Sequence, residues 1–230
     1  MLLSEDDWFT RPDPGDLLRH LEKTASLRKL RLFACHCCRR LGPLVGAAGV
    51  REALLTAERF ADGKANSDEL RTGWRAIRQA LAKAPLGTRW ERALDAALHA
   101  CSPDLTFWDA VNVSREAAHA LEGDSRPQDS GSFGVGPYVR PREYTYQCVI
   151  LRELFSYHTV EISSHLRAWE DGQLARLAQA IYLEQRFDEM PILADALEEA
   201  GCTHRSLIDH ARETTPHFKG CWLLDALMAN

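Results

Sequence analysis

The sequence predicts an all-α fold, and two observations carry that prediction. Apolar residues recur at the spacing of one helix face through most of residues 14–121 and 174–227. Residues that start helices (Ser, Thr or Asp, often with Pro) and residues that stop them (Gly and Pro) bracket these segments. We expect about nine helices joined by short links, arranged as a bundle or as an array of helical pairs.

Helix boundaries in the first half are marked by capping residues. Asp13-Pro14 places an N-cap before a proline at the first helical position and opens a helix through about Lys23. Ser26 caps the next helix, which stops at Gly42-Pro43. The remaining helices of this half are predicted to start near Val50, Ser67, Thr88 (with Glu91 as a capping box) and Ser102-Pro103.

The helical pattern breaks in residues 122–143, which are rich in Gly, Ser and Pro and show no period. Loops of this length are functional more often than merely connecting. The apolar segment 144–155 fits a helix or a strand, and we favour a helix because acid–base pairs recur around it. The last third is periodic again, and its final two helices are predicted to start at Thr203 and Thr215-Pro216.

The chain is expected to form one helical domain over residues 1–230. Six tryptophans are spread along its whole length, which favours a shared core. If the loop at 122–143 does divide the protein, the lobes would be residues 1–121 and 144–230.

Composition excludes several classes of protein. The formal net charge is −5, so nothing global indicates a nucleic-acid or anionic-membrane binder. No apolar run approaches the roughly 20 residues of a membrane span, and the acidic N-terminus has no signal-peptide pattern. An odd number of cysteines, seven, argues for reduced thiols or metal ligands rather than a disulfide framework. We therefore expect a cytoplasmic protein without membrane partners.

The segment LRLFACHCCRRLG, residues 30–42, is the strongest chemical signal. On a helical wheel Cys37 falls on the core face, and Cys35 and Cys38 lie together on its flank. His36 and Arg39 are predicted to point to solvent. Cys37 is thus expected to be a small buried hydrophobe, which leaves Cys35 and Cys38 as a C-x-x-C pair.

A C-x-x-C pair is half of many zinc sites, because two thiolates one turn apart reach one tetrahedral ion. His217 and Cys221 would supply the other half if Pro216 begins the last helix, since they would then share one face. The candidate ligands are Cys35, Cys38, His217 and Cys221, with Cys202, His204 and His210 as alternates. The simpler interpretation, that the thiols pack in the core without metal, stays open.

Two charged regions are relevant to the kind of partner that the chain binds. Basic residues accumulate around the cysteine-rich segment and along the fourth predicted helix, where Arg71, Arg75, Arg78 and Lys83 recur. Such a face is most simply solvated, although phosphate contacts would also fit it. The last third carries acidic helices, and this separation of charge suits a protein partner or pairing between the two ends of the molecule.

Several longer motifs resemble an uncharacterised family of bacterial proteins. They are RKLRLFACHCCRRL, AERFADG, LAQAIYLEQRFDEMPILADALEEAGC and PHFKGCWLLDALM, which cover roughly residues 14–63 and 150–228. The resemblance implies kinship and no mechanism, because the family has no established activity. It places Cys35, Cys37, Cys38, Cys202, His217 and Cys221 inside family-like segments, while the middle of the chain matches poorly.

Three functional hypotheses follow from the sequence. The first is a non-enzymatic helical module for protein–protein interaction or regulation, because helix periodicity is pervasive and neither G-x-S-x-G nor H-E-x-x-H occurs. The second is a zinc-stabilised domain that contacts nucleic acid through its basic helices. The third is an enzyme with its site in residues 122–170.

Overall fold

The computed structural model describes residues 2–46, 48–122, 142–158 and 160–229, and these residues form an all-α fold without strands. The prediction of the fold class is therefore confirmed. The 13 α-helices of the described residues exceed the expected nine mainly through short helices. α1 (Glu5–Thr10) and α9 (Ser164–Ala168) have six and five residues, too few to show a helical period.

The chain divides into two compact units, which are described separately. Unit 1 comprises residues 1–151 and unit 2 residues 152–230, so the boundary falls inside α8 (Arg142–Leu154). The predicted loop at 122–143 lies almost entirely outside the described residues, between the end of α7 at Glu122 and the start of α8. The expectation of one helical domain over residues 1–230 stays a prediction.

Unit 1 is built around α3 (Leu27–Arg39), which packs against α4, α6 and α7. Every residue from Leu30 to Cys38 is buried, so this part of the helix has no solvent face. The other helices of the unit are α2 (Pro14–Leu21), α4 (Ala48–Ala61), α5 (Ser67–Leu81), α6 (Arg89–Ala100) and α7 (Phe107–Glu122), with α1 and the start of α8.

In unit 1 some of the predicted capping residues are confirmed and others are wrong. Ser26 accepts the backbone N–H of Lys29, and Thr88 accepts that of Glu91, as expected. The reciprocal half of the capping box expected at Thr88 is wrong, because the Glu91 carboxylate accepts the N–H of Gly87. The capping box of α5 is formed by Asn66 and Glu69, one residue before the predicted Ser67. Ser102-Pro103 does not start a helix; α7 begins at Phe107, behind a turn in which Asp109 accepts the N–H of Thr106.

Unit 2 consists of short helices around one apolar core. Its main helices are α10 (Gln173–Glu184), α11 (Met190–Glu199), α12 (Arg205–Arg212) and α13 (Trp222–Met228), with α9 and the end of α8. Gly201 ends α11 with a positive φ of 75°, as predicted for a C-terminal cap. The expected starts at Thr203 and Thr215-Pro216 are wrong, because α12 begins at Arg205 and α13 at Trp222.

The close packing of α5 on α4 depends on a glycine. A Cβ atom placed on Gly73 would lie 2.8 Å from the Cβ of Ala53, closer than two carbon atoms pack. The backbones of the two helices can approach this far only because residue 73 has no side chain.

We predict that Gly73→Ala lowers the free energy of unfolding by up to about 2 kcal/mol, because the steric cost of about 1–3 kcal/mol offsets or exceeds the gain of about 1 kcal/mol in helix propensity. Gly49→Ala in α4 is the matched control, since a Cβ there has no neighbour within 4 Å. That variant should be as stable as the wild type or more stable. Urea unfolding of both variants makes the comparison, and equal stabilities would contradict the close approach of α4 and α5.

Candidate metal centre

Four potential metal ligands converge inside unit 2: Glu153, His210, His217 and Cys221. One ligand atom from each lies within 4.8 Å of the others, and all four side chains are buried. In residues 2–46, 48–122, 142–158 and 160–229 no other group of three or more such residues reaches this density.

Three distances within the group are close to those between ligands of one small ion. Nε2 of His210 lies 3.3 Å from Sγ of Cys221 and 3.3 Å from Oε2 of Glu153. Nδ1 of His217 lies 3.0 Å from Oε1 of Glu153. Zinc bonds of 2.0–2.3 Å in tetrahedral geometry would separate neighbouring ligand atoms by about 3.4–3.6 Å. All four ligand atoms lie within 4.8 Å of one another, so the group would contract around a bound ion.

Glu153 is the least expected member of the group, because it lies at the C-terminal end of α8. The partial negative charge of a helix C-terminus disfavours a carboxylate there. In the described residues Glu153 forms no pair with Lys or Arg; its partners are His210, His217 and the thiol of Cys221. A buried carboxylate in this position needs a cation.

The two histidines lie in different structural elements and have different neighbours. His210 lies in the last turn of α12, with its ring 4.6 Å from that of Trp222 at the start of α13. His217 belongs to the non-helical segment between α12 and α13, and its ring stands edge-on to that of His210. Its Nδ1 faces Glu153, and its Nε2 is buried without a hydrogen-bond partner. Such an unpaired nitrogen is costly unless it binds something.

A tight turn presents Cys221 to the other three residues. The N–H of Cys221 donates to the carbonyl of Phe218, and Gly220 inside this turn has φ 89°. Only glycine adopts this backbone conformation readily, so it allows the chain to reverse just before α13. Cys221 then occupies the N-cap position of α13, with its side chain buried.

The surroundings of Cys221 and His210 shift their pKa values in opposite directions. Burial raises the pKa of the Cys221 thiol well above its usual range, and the nearby Glu153 carboxylate adds to this; the N–H groups of Leu223 and Leu224 oppose it. Burial, with a smaller effect of His217, lowers the pKa of His210 to about 4. The imidazole of His210 is therefore neutral at pH 7 and keeps a lone pair for a metal ion.

The set of ligand types fits zinc better than magnesium or calcium. Thiolate and imidazole are soft or intermediate ligands that suit zinc, whereas magnesium and calcium prefer oxygen. A divalent cation would compensate the charge of Glu153 and stabilise the thiolate of Cys221. The donor types of this group therefore suit a metal ion such as zinc.

The structure assembles only part of the ligand set expected from sequence. His217 and Cys221 are in the cluster, and so is the alternate His210. The alternates Cys202 and His204 are outside it; the Cys202 thiol instead faces the carbonyl of His204 at 3.9 Å. The shared helix face expected for His217 and Cys221 is wrong, because a non-helical turn brings them together.

Cys35 and Cys38 lie on α3 in unit 1. They belong to no dense ligand group within the residues that the structure describes, and burial raises the pKa of both thiols well above the usual range. Cys37 is buried as predicted. An ion shared between this pair and His217 with Cys221 stays a prediction.

The solvent-facing position expected for His36 is wrong, because only 8% of this residue is exposed. A helical wheel with one core face does not describe α3, which is covered by three other helices. Even Arg31 is buried on α3, where its guanidinium donates to the carbonyls of Ala100 and Ser102.

Sequence reasoning missed Glu153. It is the one acidic residue in the apolar segment 144–155, and an isolated carboxylate in a buried helix is itself a signal of a compensating group. A search for paired thiols and imidazoles at short spacing does not include it.

Comparisons of the chain with models of protein families, with curated proteins and with solved structures find no match. The resemblance of its motifs to an uncharacterised bacterial family therefore stays a prediction. No helix in the described ranges has both the length and the apolar character of a membrane span.

We predict that the metal-free chain loses stability as the pH falls from about 6.5 to about 4. The unfolded chain protonates His210 near pH 6.5, but the folded chain resists this until about pH 4, so acid favours unfolding by up to about 3 kcal/mol. Urea unfolding of chelator-treated protein at pH 7, 5.5 and 4.5 measures the effect. His210→Asn should show a smaller loss, whereas His158→Asn, at an exposed site, should follow the wild type. Identical pH profiles for all three proteins would contradict the burial of a neutral His210.

Proposed function

We propose that unit 2 is a zinc-stabilised helical domain, in which Glu153, His210, His217 and Cys221 bind one zinc ion. The single observation that supports this function is the convergence of these four buried ligand groups. The interaction module expected from the sequence is compatible with such a domain and stays a prediction.

The role of the metal in this proposal is structural rather than catalytic. Catalytic zinc sites use three protein ligands and keep a fourth position open for water or substrate, whereas structural sites are closed by four protein ligands. Here four side chains complete the tetrahedron, and each is at least nine-tenths buried. A substrate would have no free coordination position and little access.

Zinc would add a cross-link to unit 2, in which α12 and α13 already share the apolar core. Glu153 ends α8, His210 ends α12, and His217 and Cys221 frame the non-helical segment before α13. The segment from Glu213 to Cys221 has no regular secondary structure of its own. Metal binding to the native state therefore contributes directly to the free energy of folding.

We predict one zinc per chain in protein purified without chelator. Cys221→Ser and Glu153→Gln should reduce the zinc content at least several-fold, because each removes a donor from a closed site. Cys202→Ser is the matched thiol control and should retain the metal, since Cys202 is buried outside the cluster. Elemental analysis by mass spectrometry measures all four proteins.

Two results of this experiment would contradict the proposal: less than about 0.2 zinc per chain in the wild type, or equal metal content in Cys202→Ser and Cys221→Ser. The double variant Cys35→Ala/Cys38→Ala tests the other half of the ligand set expected from sequence. It should keep its zinc if Glu153, His210, His217 and Cys221 complete the site.

We also predict that zinc raises the melting temperature of the wild type. Free zinc at 100 times its dissociation constant stabilises the native state by about 2.7 kcal/mol, which corresponds to about 5–10 °C for a chain of this length. Scanning calorimetry with zinc or with chelator measures the shift. Cys221→Ser should show little difference between the two conditions, and an equal shift in this variant would place the stabilising metal elsewhere.

A further inference from the structure

The stretch from Leu70 to Trp90 is strongly basic in an acidic protein. It contains five arginine or lysine residues and no aspartate or glutamate, although the whole chain has a net charge of −5. Four of these five residues lie on α5 or just after it and are exposed: Arg71, Arg75, Arg78 and Lys83.

Three of the basic residues form one face of α5. At about 100° per residue, Arg71, Arg75 and Arg78 lie within an arc of about 60°. The opposite side of the helix buries Leu70 and Ile77 and packs Gly73 against Ala53 of α4. This close approach fixes the orientation of α5, so the three guanidinium groups project from a rigid support.

The cations of this face are poorly compensated. Arg71 contacts Asp68 at 3.5 Å, but that carboxylate is 93% exposed. Arg75, Arg78 and Lys83 form no ion pair within the part of the chain that the structure describes. Surface cations usually have carboxylates nearby in an acidic protein, so this face retains charge for an external anion.

An aromatic ring borders the same face. The guanidinium of Arg78 lies over the indole ring of the half-buried Trp74, 5.4 Å from the ring centroid. This contact holds the guanidinium plane in place, and its outer side is free to stack on a planar group. A row of cations beside a stacking surface is the arrangement that binds the phosphates and bases of unpaired nucleic acid strands.

From this face we infer a second activity: α5 binds single-stranded nucleic acid, with Arg71, Arg75 and Lys83 contacting phosphates and Arg78 stacking on a base. An anionic membrane or an acidic protein would use the cations but not the stacking surface, so the pairing of Arg78 with Trp74 favours nucleic acid. The inference depends on unit 1 alone and does not rest on the zinc centre.

Fluorescence anisotropy with a labelled 20-nucleotide oligo(dT) tests the inference on the full chain. Three phosphate contacts predict a slope of about −2.1 in a plot of log affinity against log salt, which weakens binding about 20-fold between 50 and 200 mM salt. The triple variant Arg71→Gln/Arg75→Gln/Arg78→Gln should lose at least 20-fold in affinity at 50 mM salt and flatten the slope by about 1.4, because it removes two of the three phosphate contacts.

A matched triple variant separates local contacts from overall charge. Arg19→Gln/Lys23→Gln/Arg205→Gln removes the same number of exposed positive charges from other segments of the sequence and should change the affinity less than threefold. Arg78→Lys keeps the charge but loses the planar group, so it should weaken binding about fivefold without changing the salt slope. Circular dichroism melts verify that each variant is folded.

Three outcomes would overturn the inference: no binding of oligo(dT) by the wild type at 50 mM salt, equal affinities of the two triple variants, or tighter binding to vesicles containing phosphatidylserine than to oligo(dT). Equal affinities for oligo(dT) and for a duplex of the same length would contradict the stacking of Arg78 on an unpaired base. Metal content does not enter these readouts, so failure here is distinct from failure of the zinc proposal.

Discussion

A carboxylate buried in an apolar core is unfavourable unless nearby groups compensate its charge, and Glu153 imposes this condition on unit 2. Its position at the C-terminal end of α8 makes the condition stricter, because the helix itself adds negative potential there. The buried imidazoles of His210 and His217 and the thiol of Cys221 surround it. The end of α12, the turn at Gly220 and the start of α13 are all placed so that these three side chains reach one carboxylate.

The fold could be predicted from sequence wherever local chemistry decides the structure. Ser26, Thr88 and Gly201 act as expected because a cap is satisfied within a few residues of itself. Local signals fail where tertiary contacts choose among several sites. Thr215-Pro216 has the sequence of a helix start, but the chain must first place His217 against Glu153 and turn at Gly220. Helix formation is thereby delayed to Trp222.

Half of the candidate site could be predicted from the sequence, again because local spacing was the available signal. His217 and Cys221 are prominent in sequence because thiols and imidazoles at short spacing are typical of metal ligands. Glu153 is not, since a search for thiols and imidazoles at short spacing does not include a single carboxylate in an apolar segment. The solvent-facing position expected for His36 is wrong because a wheel assumes one core face, and α3 is buried from Leu30 to Cys38 on all sides.

The order of the four donors along the chain has a consequence for the unfolded protein. His210, His217 and Cys221 follow one another closely, whereas Glu153 comes from a helix far upstream. An unfolded chain therefore keeps three donors as a short flexible chelate, and a metal that also binds the unfolded chain stabilises the fold by less than its native affinity. Of the four donors, Glu153 is the one that only the folded chain brings close to the other three. This carboxylate therefore sets how much of the free energy of metal binding becomes free energy of folding.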